Sequence, residues 1–71
     1  MRTRVDAHIT GTVWKVEVKR GEQVAAGQVC VIIESMKMEM PVEAPRAGIV
    51  DDVHVAEGQA VSEGDALVTL A

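Results

Sequence analysis

Apolar and polar residues alternate along this chain in short runs, and glycines interrupt the runs at close intervals. Period-two alternation puts one face of an extended strand into a core, and helical spacing is scarce. The pattern predicts strands over 3–7, 12–18, 29–34, 39–42, 49–55 and 66–70, with brief extended pieces around Val24 and Val61. Gly21, Gly27, Gly58 and Gly64 separate the runs and are expected in turns, where glycine supplies positive φ or close backbone approach. Pro41 removes a ladder donor, so its strand is expected at a sheet edge or bulged.

The alternation is itself repeated. Gly11, Val13, Val16, Val18, Gly21, Val24, Gly27 and Val31 stand 37 residues before Gly48, Val50, Val53, Val55, Gly58, Val61, Gly64 and Val68. Both copies read Gly-x-Val-x-x-Val-x-Val-x-x-Gly-x-x-Val-x-x-Gly, within repeats 11–34 and 48–71. Fixed-period self-similarity marks stacked or pseudo-symmetric units. Two copies are too few for a solenoid, so the expectation is one all-β domain over 1–71, with two small antiparallel sheets face to face and a two-fold relating the halves.

Composition narrows the picture. A chain of 71 residues is one domain and must pack efficiently to be stable. Its hydrophobic content is 48%, and Trp14 is the single aromatic residue. A core of small β-branched residues suits thin, tightly packed sheets. The net charge of −4 and the lack of stacking aromatics argue against nucleic acid as a partner. No apolar run is long enough for a membrane span, and residues 1–10 lack the pattern of a signal peptide, so the expected location is the cytoplasm. Cys30 is the only cysteine and cannot form an internal disulfide. Between Val29 and Val31 it reads as a small buried hydrophobe without reactive chemistry.

One segment stands apart from the repeat. Glu34-Ser35-Met36-Lys37-Met38-Glu39 connects the halves and sets a lysine between two methionines. A methionine left in water forgoes roughly 1.5–3 kcal/mol of burial, so two beside a turn point to a surface that is meant to be touched. The alternative is that Met36 and Met38 fill gaps in the core. Tight two-residue hairpins favour Asn-Gly at the tip. If the connection is tight, Met36 and Lys37 must accept positive φ at a cost on the order of 1–3 kcal/mol. An ordinary lysine amine, with a pKa near ~10.4, is neutral in about one molecule in a thousand at pH 7. The acidic flanks offer nothing that would activate it, so another protein must supply the chemistry and the chain itself is not expected to be an enzyme.

At these residues the chain resembles a biotinyl domain, the biotin carboxyl carrier module of biotin-dependent carboxylases. The resemblance lies in Glu34-Ser35-Met36-Lys37-Met38, in Ala44-Pro45-Arg46-Ala47-Gly48-Ile49-Val50 and in both Gly-x-x-Val-x-x-Gly turns, and it covers nearly everything from Ile9 to Leu70. It implies a flattened β-barrel (barrel-sandwich hybrid) of two antiparallel four-stranded sheets, with the modified lysine on an exposed hairpin. Lys37 would be the amine that a biotin protein ligase joins to biotin. Met36 and Met38 would be the flanks that partners read, and Glu34 and Ser35 would support the motif. The implied partners are the ligase, a biotin carboxylase and a carboxyltransferase. Ala7-His8-Ile9-Thr10-Gly11 lacks the family's usual proline before the glycine, and there is no room for the "thumb" of some acetyl-CoA carboxylase carriers. Such carriers either stand alone or form part of a longer protein.

Two other functions stay open from the sequence. A lipoyl-type carrier shares the fold, but usually shows Asp-Lys followed by a small residue where Met36 and Met38 stand here. An unmodified structural or adaptor barrel would leave Lys37 bare. His8 and His54 have no ligand spacing and are expected in solvent, with no metal site. Asp51, Asp52, Glu57, Glu63 and Asp65 read as a solvated face and turn residues. Trp14 stands opposite Asp51 in the repeat and reads as a rim residue over the barrel edge, with partner contact as the alternative.

Overall fold

A computed structural model of the chain describes residues 2–71. The eight strands among these residues are β1 (Thr3–Asp6), β2 (Gly11–Val16), β3 (Gln23–Val24), β4 (Val29–Ser35), β5 (Met38–Glu43), β6 (Gly48–Val53), β7 (Ala60–Val61) and β8 (Ala66–Leu70). They form two four-stranded sheets, ordered β1-β8-β6-β3 and β5-β4-β2-β7. We call these the first and second sheet; every pairing in both is antiparallel.

The repeat generates this arrangement. An offset of 37 residues carries β1 onto the body of β5, β8 onto the partner of β5, and the order of the first sheet onto that of the second. The backbone bonds repeat as well. Gly27 N–H donates to Ala44 O and Gly64 N–H to Ala7 O, each at 2.8 Å. Gly21 N–H reaches Val50 O at 2.8 Å, and Gly58 N–H reaches Val13 O at 2.7 Å.

The core follows the same rule without exception. The buried apolar residues pair as Val5 with Val42, Ala7 with Ala44, Val13 with Val50, Val18 with Val55, Val24 with Val61, Cys30 with Leu67, Val31 with Val68 and Ile33 with Leu70. Burial of side chains this size is worth roughly 1.5–3 kcal/mol each. In so short a chain, that shared interior is what stability rests on.

The expected strands differ from the observed ones mainly at their ends. The runs over 12–18 and 49–55 begin one residue earlier and stop at Val16 and Val53. Val18 and Val55 are still buried, but as plugs where the chain leaves each sheet, so apolar spacing continued past the last ladder bond. Pro41 lies in β5, an edge strand, where its missing N–H costs no pairing. Burial pushes the Cys30 thiol upward, aided by the charge of Glu22, in keeping with a packed rather than a reactive cysteine.

Candidate functional site

The β4–β5 hairpin is built from its base outward. Ile33 pairs with Met40, Glu34 with Glu39 and Ser35 with Met38, leaving Met36 and Lys37 as a two-residue tip. Their φ angles are 52° and 64°. Positive φ at both central residues is the geometry of a type I′ turn, whose twist matches that of the flanking strands. For residues with a Cβ this conformation costs roughly 1–2 kcal/mol each. The turn is therefore tight, and it is made without glycine.

Two contacts hold the base of this hairpin. The Ser35 hydroxyl donates to Thr10 O at 3.0 Å. Beside it, Gly11 leaves room for the β4 backbone: a Cβ there would stand 2.4 Å from Glu34 O and 2.8 Å from Ile33 Cγ2. Gly11 is thus required for close approach, not for a left-handed conformation. Thr10 and Gly11 were not legible as hairpin supports, because the sequence places them 25 and 24 residues before Ser35 and nothing local links them.

The tip is open. Met36 is 91% exposed and Met38 62% exposed, so neither fills the core. Lys37 is exposed and, among the described residues, its amine has no hydrogen-bond or ion-pair partner. Glu34 and Glu39 face outward as a cross-strand pair of like charges, a mildly destabilising arrangement. Ser35 is half-buried against Thr10. The structure thus gathers all five residues singled out by the sequence at one hairpin, with an amine projecting and apolar flanks bare to solvent. Nothing at the tip resembles catalytic machinery, and no group of His, Cys, Asp or Glu among the described residues is arranged to hold a metal. The site suits acylation of an amine by an external enzyme, and its lack of any covering element leaves space for an appended group.

The remaining candidates lie elsewhere. His54 Nε2 is 2.7 Å from Thr69 Oγ1 on the outer face of the first sheet, and His8 lines a shallow groove of about 290 Å³ with Arg4, Asp6, Val42, Glu43 and Pro45. That groove sits at the end of β5 away from the turn. Arg4 donates to Asp6 and holds its carboxyl below the usual carboxylate range. Trp14 is 45% exposed on the outer face of the second sheet, where β2 bulges between Val13 and Lys15.

Comparison with known proteins fits this geometry. A family model described as "Biotin-requiring enzyme", covering biotin and lipoyl domains, matches residues 5–70. A biotin/lipoyl attachment protein of Bacillus subtilis is 50% identical over 66 residues, spanning 93% of this chain and 90% of its own. A biotinylated protein of Mycobacterium leprae, a TB7.3 homolog, is 43% identical over 70 residues, or 99% of both chains. Among solved structures, the urea carboxylase of Kluyveromyces lactis contains a region that superposes with a TM-score of 0.94 at 32% identity, covering 100% of this chain and 6% of that enzyme.

Proposed function

The chain belongs to the biotin- and lipoyl-attachment family, and from that premise we propose that residues 1–71 act as one biotin carboxyl carrier domain with Lys37 as the attachment site. The observation that carries the proposal is the tip itself: a strained turn that presents an exposed lysine between two exposed methionines. The carrier is not an enzyme; it serves a carboxylase system. Within the proposal, a biotin protein ligase acylates the Lys37 amine, and a biotin carboxylase and a carboxyltransferase use the product.

Biotin fits the residues present, since Lys37 is exposed at the tip and its amine, without a partner among the described residues, can form an amide. Once bound, biotin supplies a ureido nitrogen able to carry carboxylate between two active sites. The protein's own part is positional. Ser35 and Gly11 fix the hairpin base, while Met36 and Met38 give partners an apolar grip on either side of the amine. Tethering then raises the local supply of the carried group by effective concentration. The methionine flanks favour biotin over lipoate.

Incubation with biotin protein ligase, ATP and biotin tests this reading. The expected result is a streptavidin-reactive chain carrying a single biotin. Lys37→Arg should lose the signal completely, while Lys15→Arg and Lys19→Arg keep it. Labelling that survives Lys37→Arg, or that only a lipoate ligase achieves, would overturn the assignment.

A further inference from the structure

The two-fold supplies an internal control for the surface, because each outward position of one sheet has a counterpart in the other. In the second sheet a row crosses the outer face: Trp14 and Lys15 at the β2 bulge, Ile32 opposite Lys15, and Pro41 opposite Ile32. The counterparts in the first sheet are Asp51 and Asp52, Thr69 and Arg4. One row is apolar but for Lys15 and the other is polar throughout, although the cores beneath them match residue for residue.

The polar groups differ in the same sense. The first sheet satisfies its own: Arg2 pairs with Asp51, Arg4 with Asp6, and His54 contacts Thr69. In the second sheet Glu34 and Glu39 flank the apolar row on the hairpin side, and Glu17 and Glu43 flank it on the other. Among the described residues none of these four carboxylates has an ion-pair partner. The face is therefore tryptophan, isoleucine and proline with one lysine, Lys15, whose amine lies 5.7 Å from the Trp14 ring centroid, inside a rim of four carboxylates that leaves it net acidic. A second copy would bring these carboxylates against themselves, so the charge calls for a partner with a cationic border.

We propose that this outer face of the second sheet is the docking surface for a biotin carboxylase, which meets the Trp14–Ile32–Pro41 row with an aliphatic patch edged by lysine or arginine. The inference rests on the carrier reading above and extends it to the partner's contact. Position supports it. Pro41 lies three residues beyond the Ser35–Met38 pair, roughly 10 Å from the turn at ~3.3 Å per residue. A partner gripping that row leaves the tip and its arm free to reach an active site. Tryptophan is among the residue types that most often dominate binding at an interface.

The chain provides the variant for the test. Replacing Trp14→Asp, Ile32→Thr and Pro41→Arg together gives the three apolar positions of the row the residues of their first-sheet counterparts, which this fold already accepts at equivalent places. Trp14→Thr alone is the milder companion. Direct binding of the unbiotinylated Lys37→Arg chain to each biotin carboxylase of the source organism is measured with and without the triple change. Ligase-catalysed labelling of Lys37 is measured separately on chains that keep the lysine. The expected outcome is binding weakened about tenfold or more by the triple change, and severalfold by Trp14→Thr, with labelling rates within twofold of the unaltered chain. Binding should also weaken severalfold between about 0.01 M and about 0.15 M ionic strength, where the Debye length falls from ~30 Å to ~8 Å. Binding unchanged within twofold by the triple variant, or insensitive to salt, would overturn the proposal. A parallel loss of labelling would also overturn it, by assigning the face to the ligase. Absence of labelling on the unaltered chain would instead strike the carrier reading, leaving the binding comparison to decide the surface.

Discussion

The turns at Gly21, Gly27, Gly58 and Gly64 and the turn at Met36-Lys37 solve one backbone problem with different residues. All require positive φ, from 83° to 93° at the four glycines and 52° and 64° at the tip. The glycine turns are alike in detail. In each, the residue after the glycine accepts from the backbone N–H three positions earlier: Glu22 from Lys19, Gln28 from Ala25, Gln59 from Ala56 and Asp65 from Ser62. These turns only reverse the chain, and glycine does so without a Cβ penalty. The tip must reverse the chain and also display side chains at the point of reversal. Glycine would relieve the strain and remove the display, so the difference marks where the fold gives up stability for presentation.

The comparison breaks most severely at Gly11, which supports the tip from outside it. Gly11→Ala would drive a Cβ into backbone and core atoms at 2.4 and 2.8 Å, and we expect it to cost about 3 kcal/mol in urea denaturation while slowing ligase labelling of Lys37. Its counterpart Gly48→Ala meets chiefly the guanidinium of Arg46, at 2.6 Å, a side-chain end that can shift but must loosen its bonds to Thr3 Oγ1, Ala47 O and Ala71 O to do so. A loss of about 1–2 kcal/mol is expected there, with labelling unchanged. Equal losses at both sites would show that the hairpin base is not the special element.

A smaller effect is expected at the glycine turns. A Cβ at Gly58 would meet nothing within 4 Å, so Gly58→Ala isolates the conformational cost of φ +90°. That cost is about 1–2 kcal/mol. Labelling should be unaffected, because this turn supports the sheet and not the tip. A loss near zero would mean that the backbone relaxes readily, and the strain argued for Met36 and Lys37 would weaken with it.

Why some of this was readable in the chain and some was not follows from what each pattern encodes. The alternation of Val13, Val50 and their companions states which face is buried, and the 37-residue offset states that there are two copies; together these give the sheets and the core. Alternation does not say which strand lies beside which, so the crossing of β8 between β1 and β6 had to be seen. Nor does it mark a strand's end when burial continues, hence Val18 and Val55. At the site, Met36-Lys37-Met38 was legible because residue types were out of place for a turn. The grip of Ser35 on Thr10 was not, since a hydroxyl-to-carbonyl bond leaves no periodic trace. The turn acceptors Glu22, Gln28, Gln59 and Asp65 did leave one, as an acidic or amide residue directly after each glycine.

The finest test separates strain from display at the tip itself. Met36 holds φ 52° with its side chain 91% exposed, so it contributes almost no burial to offset the conformation. Asparagine adopts the left-handed region at less cost than other residues bearing a Cβ. Met36→Asn should therefore raise stability by about 0.5–1 kcal/mol, a gain visible as a higher urea midpoint with an unchanged slope. The same change removes one apolar flank from the amine, and labelling by the ligase should slow severalfold while Lys37 stays as exposed as before. Stability and modification would then move in opposite directions from a single substitution. If both rise together, the methionine is a tolerated accident of the turn and the amine alone is recognised. If both fall, Met36 holds the tip in place through contacts made with its partner strand, and display would have no separate cost.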